Sequence, residues 1–286
     1  MSIAVVTDST AYLPEELAGR YSLRTVPLHV SVDGAEPVDE SVFGPRELSA
    51  ALARRHRVTT SGATAEELAR TYRAALDTGA EGVVSVHLSR QLSGTWDAAR
   101  LAAEEVDPHR VRVVDSRSTA MGLGFSALAA GERAQAGADL AAVAATAGRV
   151  AERTSTMFSV QTLDYLRRGG RIGTATALLG TALAIKPLLH LRAGRIEALE
   201  KVRTTTRAMT RLVEIAVRSA SPGPAAIAIH HLDAPERATQ LTERIRGQVP
   251  DCPECVVSEV GAVIGAHIGP GAVGVVVVPG GWHERS

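Results

Sequence analysis

The sequence predicts an α/β protein with two domains, the first built on a parallel sheet and the second on a mixed or antiparallel sheet. Strand and helix patterns alternate through the first 120 residues, and a hairpin pattern appears only later in the chain. A chain of 286 residues is also long enough for two domains that each bury a core. We place the boundary so that the domains are residues 1–153 and 154–286.

The first half carries short apolar, β-branched runs separated by amphipathic stretches. This alternation is typical of a parallel sheet with helices on both faces. The predicted strands are 3–7, 24–30, 82–88 and 111–115, and the predicted helices are 14–20, 45–54, 65–77, 95–105, 121–136 and 140–151.

The second half predicts a different sheet, because the segment Arg192-Ala-Gly-Arg195 resembles a hairpin turn between two strands. We predict a short helix before the Gly169-Gly170 turn. The other predicted strands and helices are strands 154–160, 185–191, 195–198, 225–230, 256–260 and 272–278 and helices 205–219 and 235–246.

Composition excludes several classes of function. Lys plus Arg and Asp plus Glu both total 31, so net charge draws the chain neither to nucleic acid nor to anionic membrane. No apolar run approaches the roughly 20 residues that a membrane helix needs, so we expect no integral membrane association and a cytoplasmic location.

Hydroxyl-rich segments follow the strands of the first half, where ligands of open parallel sheets bind. Thr60-Ser61 and Ser93-Gly94-Thr95 are the most informative of these segments. A helix N-terminus offers free backbone N–H groups, so such hydroxyls can help to hold a carboxylate. The alternative is that they only cap helices.

His267 stands among five glycines in the segment from Glu259 to Gly274. The glycines allow close approach of a ligand or another backbone, and we predict that His267 lies on a short turn before an apolar strand. Both a ligand-contacting and a structural role stay open for it.

Arg167, Arg168 and Arg171 surround the Gly169-Gly170 turn. The planar guanidinium suits carboxylate and phosphate, because it donates two parallel hydrogen bonds. The alternative is a solvated basic helix end closed by glycine.

An enzyme is the alternative to a binding protein. The chain has neither a Gly-x-Ser-x-Gly elbow nor a phosphate-binding Gly-x4-Gly-Lys-Ser/Thr loop. For Asp8, which directly follows the first predicted strand, we prefer the role of a helix cap or turn residue to that of a nucleophile. The pair Cys252-Pro-Glu-Cys255 fits a redox pair, half of a zinc site or two loop residues, and the neighbouring prolines favour the loop. A transferase or hydrolase using the inter-domain cleft remains as the second hypothesis.

At these motifs the chain resembles the DegV family, which includes the fatty-acid-binding FakB-type subunits of bacterial fatty acid kinase. The matching segments are Thr7-Asp-Ser-Thr10 with Leu13-Pro14, Thr60-Ser61, Leu92-Ser-Gly-Thr95, Val114-Asp-Ser116, Leu163 to Ile172, Lys186-Pro187 and Glu259 to Gly274. Each is short, and their order and spacing make the resemblance specific.

The resemblance implies an N-terminal Rossmann-like domain and a smaller α/β domain, with a long-chain fatty acid as ligand, its carboxylate between the domains and its acyl chain in a tunnel. It implies no cofactor, no metal and no catalytic residue in this chain, because a separate ATP-dependent kinase subunit would form the acyl phosphate. Segments 177–191 and 273–278 offer apolar tunnel material, or ordinary core. The implied carboxylate residues are Thr60, Ser61, Ser93, Gly94 and His267, and the implied kinase-docking or phosphoryl-contacting residues are Arg171 and Arg203.

One segment departs from the family pattern. Where the family usually reads Thr-Ser-Gln-Pro-Ser, this chain reads Thr60-Ser-Gly-Ala-Thr64. Smaller residues replace Gln and Pro, so we expect a more mobile loop with altered head-group contacts.

Overall fold

The structure is a computed structural model that describes residues 2–178, 185–221, 223–249, 252 and 254–283. Its internal contacts divide the chain into two compact units, and both are discontinuous. Unit 1 contains residues 1–29, 61–153 and 282–286, and unit 2 contains residues 30–60 and 154–281. The predicted domains share the division after residue 153 with these units, but assign residues 30–60 and the C-terminal residues differently.

Unit 1 is built on a parallel sheet of four strands in the order β2–β1–β6–β7. Every residue of β6 is buried, as expected for a central strand of such a sheet. The helix pairs α3–α4 and α5–α6 pack on it. Its elements are β1 Ile3–Asp8, α1 Glu15–Arg20, β2 Arg24–Val26, α3 Ala65–Asp77, β6 Gly82–His87, α4 Thr95–Val106, β7 Val111–Asp115, α5 Met121–Gln135 and α6 Leu140–Arg153, with a 3-10 helix at Ser9–Ala11.

Unit 2 is built on a mixed sheet of six strands in the order β10–β9–β8–β13–β11–β12, in which only β11 and β12 pair in parallel. The helices α8 and α9 pack against it. Its larger elements are β8 Ser155–Ser159, α7 Asp164–Arg168, β9 Lys186–Arg192, β10 Arg195–Val202, α8 Thr205–Ala220, β11 Ala225–His231, α9 Pro235–Arg246, β12 Glu254–Glu259, α10 Ala262–Ile268 and β13 Val273–Pro279.

A small three-stranded sheet in the order β4–β3–β5 and the helix α2 come from the segment near residues 30–60. Its elements are β3 His29–Val32, β4 Val38–Asp39, α2 Pro45–Ala53 and β5 Val58–Ser61. The predicted strand at 24–30 is therefore wrong in its middle. Pro27 lacks a backbone donor, and the Leu28 N–H donates to the Ser9 hydroxyl at 3.0 Å instead of to a strand.

The predicted hairpin at residues 192–195 is confirmed. Strands β9 and β10 pair antiparallel, and Ala193 and Gly194 both have positive φ, at 47° and 80°. This is the backbone of a two-residue turn whose twist matches the strands.

The sequence predicts two segments, 177–191 and 273–278, as apolar tunnel material. Residues 179–184 lie outside the described residues, so the prediction of tunnel material is not tested there. In β13, Val275 to Val278 are almost fully buried in the middle of the unit 2 sheet, which is the setting of ordinary core. Over the described ranges, none of the helices combines the length and apolar character required to cross a bilayer.

Candidate functional site

His267 lies in the last turn of helix α10, so the predicted short turn is wrong. The helix ends at Ile268, and the φ of +73° at the following Gly269 breaks the helical path. From this position the imidazole Nε2 lies 2.8 Å from the hydroxyl of Thr60 on β5. Two of the predicted site residues, 207 positions apart in the chain, are therefore hydrogen-bonded within unit 2.

Helix α10 is held by contacts that the apolar pattern of its sequence does not reveal. The buried carboxylate of Glu40 accepts a hydrogen bond of 2.8 Å from the Val263 N–H, at the positive end of the helix. At Gly265 a Cβ would lie 2.5 Å from Leu48 Cδ2, so a larger residue there would force the Leu48 side chain or the helix to move. These contacts fix the helix that carries His267.

The Gly169-Gly170 turn lies directly against the His267 ring. A Cβ at Gly169 would overlap His267 Nδ1, so any side chain there would displace the imidazole. Nδ1 is buried and has no hydrogen-bond partner within the described ranges. Burial, with a smaller contribution from the charge of Arg171, lowers the pKa of His267 to about 4. The ring is therefore neutral at pH 7.

The two predicted arginines have different settings. Arg171 is half-buried, and its Nη1 donates to the Gly169 carbonyl at 2.7 Å, which keeps its guanidinium beside His267. Arg203 is exposed just after β10 and directly before Thr204, the N-cap of α8. Unit 2 thus brings Thr60, His267 and Arg171 together, while Arg203 is available at the surface.

The predicted hydroxyls of unit 1 gather at the start of helix α4. The Ser93 and Thr95 hydroxyl oxygens lie 2.9 Å apart, and the Thr95 N–H donates to Ser93 at 3.3 Å. Gly94 is the exposed N-cap residue and Thr95 is fully buried. Ser61 is exposed at the end of β5.

The Gly62-Ala63 segment packs closely against these hydroxyls. A Cβ at Gly62 would lie 2.5 Å from Thr95 Oγ1, so any larger residue here would displace that hydroxyl or the loop. Ala63 is buried, and Thr64 caps α3 by accepting from the Glu67 N–H while Glu67 accepts from Thr64. The approach of Gly62 to Thr95, the burial of Ala63 and the cap formed by Thr64 therefore oppose the loop mobility that the small residues predict.

A buried series of hydrogen bonds that the sequence did not predict runs from helix α3 to strands β6 and β1 of unit 1. Tyr72 donates to Ser85 at 2.9 Å, Ser85 lies 2.7 Å from His87 Nε2, and His87 Nδ1 lies 3.0 Å from Asp8. All four residues are fully buried. Placing the ring hydrogen on Nδ1 satisfies every group, because His87 then donates to Asp8 and accepts from Ser85.

The hydrogen bonds link Ser85, His87 and Asp8 in the same order as the Ser–His–Asp triad of a hydrolase. Ser85, however, is fully buried and therefore inaccessible to a substrate. Asp8 also accepts from the Leu88 and Thr10 N–H groups, at 2.9 and 3.2 Å. It therefore ties the end of β1 to the end of β6, in line with the predicted cap role. The sequence signal was a Ser-x-His pair on one face of a buried strand.

These features define a class: a two-unit α/β protein with a parallel-sheet unit and a mixed-sheet unit, whose predicted site residues include hydroxyl groups, a neutral imidazole and a neighbouring arginine. The chain belongs to the DegV family. The family model, described as an uncharacterised protein of the DegV family, matches residues 2–280.

Relatives cover the chain almost completely. A DegV domain-containing protein of Streptomyces coelicolor is 53% identical over 275 residues, which are 96% of this chain and 98% of that protein. The solved structure of a DegV family protein from Thermus thermophilus, described as binding fatty acid, is 37% identical with a TM-score of 0.90, covering 98% of this chain and 100% of that one. Bacillus subtilis DegV, described as a fatty acid binding protein, is 33% identical with a TM-score of 0.87, covering 97% and 99%.

Proposed function

We propose that this chain is a cytoplasmic carrier that holds one long-chain fatty acid and presents its carboxylate to a separate ATP-dependent kinase, which forms the acyl phosphate. The observation that carries the proposal is the Thermus thermophilus relative, whose fatty-acid-binding fold matches this chain over 98% of its length with a TM-score of 0.90. The proposed head-group residues are Thr60, Ser61, Ser93, Gly94 and His267.

The hydrogen bond between Thr60 and His267 suggests how the head group is held. Among the described residues Nδ1 of His267 is buried without a partner, and an unpaired N–H there would cost more than an unpaired acceptor lone pair. The ring hydrogen therefore belongs on Nε2, which donates to Thr60 Oγ1. Thr60 then keeps its own hydroxyl hydrogen for the carboxylate, and His267 acts as a positioning residue.

A neutral imidazole suits this task. A buried carboxylate is costly unless it receives hydrogen bonds, which hydroxyls can supply without a metal ion. The Arg171 guanidinium beside His267 adds positive charge near Thr60. Each buried methylene of the acyl chain contributes about 0.8 kcal/mol, so the tail supplies most of the affinity and the head-group residues supply orientation.

The phosphoryl-transfer step is assigned to the partner. The Ser85–His87–Asp8 chain is fully buried, which weighs against the alternative of a hydrolase or transferase that would use it. We assign kinase docking or phosphoryl contact to the exposed Arg203, and we retain Arg171 in the same role through its place beside His267.

The first test is mass spectrometry of organic extracts from the protein purified without detergent or added lipid from a bacterial host. We expect about one long-chain fatty acid per chain. If no fatty acid is extracted and none binds to the purified protein, the carrier function is wrong.

The second test separates holding from presentation. Ser93→Ala and His267→Ala should weaken fatty-acid binding, whereas Arg203→Ala should bind normally and lose acyl-phosphate formation by the kinase. Arg218→Ala is the matched control, because Arg218 is an exposed arginine near the other end of α8, about 20 Å away along the helix. Equal loss of binding in the Ser93, His267 and Arg203 variants would contradict this division of roles.

A further inference from the structure

Two partly buried cations meet at one end of the unit 2 sheet. Lys186 Nζ donates to the Gln161 backbone carbonyl at 3.3 Å and to its side-chain Oε1 at 2.8 Å. The same side chain donates through Nε2 to the Gly271 carbonyl at 3.0 Å. Arg237, in the first turn of α9, donates through Nη1 to that carbonyl at 2.8 Å. One amide side chain and one carbonyl group therefore link the ammonium and the guanidinium.

The register of the sheet places this cluster beside a third cation. Lys186 begins β9 and pairs with Val202, the last residue of β10. Strand β8 pairs with both β9 and β13, and continuing these two registers by two residues sets Gln161 opposite both Lys186 and Gly271. Arg203 is exposed and directly follows Val202. It therefore lies at the same end of the sheet as the two partly buried cations.

The glycine at position 271 allows this arrangement. Its φ is +79°, and a Cβ there would lie 2.8 Å from Gln161 Cγ and 3.3 Å from Arg237 Nη1, so a larger residue would push these side chains away. Gly271 is also only four residues from His267, which limits the distance between their Cα atoms to about 15 Å. The carbonyl that joins the two cations thus lies near a residue that we assign to the head group.

The hydrogen-bond partners of the two cations are neutral oxygen atoms. Within the part of the chain that the structure describes, neither Lys186 nor Arg237 forms an ion pair with a carboxylate. The nearest acidic residues before Arg237 in the sequence, Asp233 and Glu236, are exposed. Charges interact more strongly where they are shielded from water, and phosphoryl oxygens are common partners of both lysine and arginine. The cluster is therefore suited to a phosphoryl group.

We propose that Lys186 and Arg237, together with Arg203, bind the phosphoryl group that the kinase transfers to the bound fatty acid. This inference rests on the proposed carrier function. Gln161 is a positioning residue, because its amide holds Lys186 and the carbonyl that Arg237 contacts.

The transfer balances without a proton. One carboxylate oxygen of the fatty acid attacks the γ-phosphorus of ATP, the bond from that phosphorus to the β,γ-bridging oxygen breaks, and ADP leaves with the electron pair. The products are the acyl phosphate and ADP. Cations beside the phosphoryl oxygens stabilise the charge that these oxygens carry during the transfer.

The first test uses the full chain alone, with inorganic phosphate as the probe. Calorimetric titration at low ionic strength should show saturable binding of about one phosphate per chain, and Lys186→Gln or Arg237→Gln should each weaken it about tenfold, because a charged hydrogen bond is lost. Arg192→Gln is the matched control, since Arg192 is exposed on the same strand and face as Lys186, about 20 Å away. Absence of saturable binding, or equal affinity in the Lys186 and Arg192 variants, would overturn the proposal.

The second test measures acyl-phosphate formation by the kinase. Lys186→Gln should bind fatty acid with the affinity of the wild type but reduce kcat by at least about tenfold, and Lys186→Arg should restore most of the rate because it keeps the charge. The same loss in Lys186→Arg as in Lys186→Gln would mean that the charge is not used.

The two tests also separate this site from the carrier function. A normal rate of acyl-phosphate formation in Lys186→Gln would overturn the phosphoryl-binding site and leave the carrier function standing. Absence of fatty-acid binding by the wild type would overturn the carrier function, and with it the assignment of the phosphoryl group, even if the chain alone binds phosphate.

Discussion

His267 illustrates how burial decides the chemistry of a single residue. Its imidazole would be half protonated near pH 6.5 in an unfolded chain, but it is held neutral here by burial and by the charge of Arg171. A neutral ring can donate one hydrogen bond and leave its other nitrogen unpaired, whereas a protonated ring would bury an unpaired N–H. The geometry with Thr60 and Gly169 therefore requires the low pKa.

This residue predicts a pH dependence of stability. The folded-state pKa of about 4 lies below the unfolded value of 6.5, so the unfolded chain binds more protons between these values. The contribution of His267 to stability is therefore present above about pH 6.5 and is lost as the pH falls towards 4. From pH 7 to pH 5 the contribution of His267 to the free energy of unfolding falls by about 2 kcal/mol.

Urea unfolding of the wild type and of His267→Asn at pH 7 and pH 5 measures this contribution. His230 also has a pKa of about 4, because it too is buried, and it is present in both proteins, so its effect cancels. The variant should lose about 2 kcal/mol less than the wild type. The same loss in both proteins would mean that His267 titrates near its ordinary pKa.

At the scale of elements, the ends of β1 and β6 are joined through Asp8. Its carboxylate accepts from the Leu88 N–H, the Thr10 N–H and His87 in a site without solvent access. Tyr72 lies at the other end of this series of buried hydrogen bonds and contributes one hydrogen bond, to Ser85. Because removal of an acceptor leaves several buried donors unpaired, the two ends should differ greatly in cost.

We expect Asp8→Ala to reduce the free energy of unfolding by about 3 kcal/mol or more, and Tyr72→Phe by only about 1 kcal/mol. The phenylalanine preserves the buried ring, and Ser85 still donates to His87. Urea unfolding at pH 7 compares the two. Similar costs for both variants would show that the chain of hydrogen bonds is not organised around Asp8.

Elements with local signals were predicted well, and those fixed by distant contacts were not. Helix α3 begins at its predicted residue because Thr64 and Glu67 form a capping box, and α9 begins at Pro235, a favoured first residue. Helix α10 is short, contains Gly265 and is capped by Glu40, 223 residues away in sequence from Val263. No local pattern carries that information, so His267 was predicted on a turn.

At the scale of the molecule, the family and the α/β class were readable from ordered motifs, but the two discontinuous units were not. Residues 30–60 follow β2 in the chain and belong to unit 2, which is decided by long-range packing. The same segment supplies Thr60, whose partner His267 comes from the far end of the sequence. The resemblance implied that Thr60 and His267 belong to the same site, but it did not imply the direct hydrogen bond between them.

Binding of a fatty acid should stabilise the whole molecule, because a ligand that binds only the folded state shifts the unfolding equilibrium. At a free ligand concentration 100 times Kd the gain is about 2.7 kcal/mol.

Thr60→Ala removes the hydroxyl that we assign to the carboxylate, and a tenfold weaker Kd would reduce the gain at the same concentration to about 1.4 kcal/mol. Thr59→Ala is the matched control, because Thr59 is exposed and adjacent strand residues face opposite sides of β5. Thermal unfolding of delipidated protein, with and without oleate, should give a smaller rise in Tm for Thr60→Ala than for Thr59→Ala and the wild type. An equal rise in all three would place the carboxylate away from Thr60.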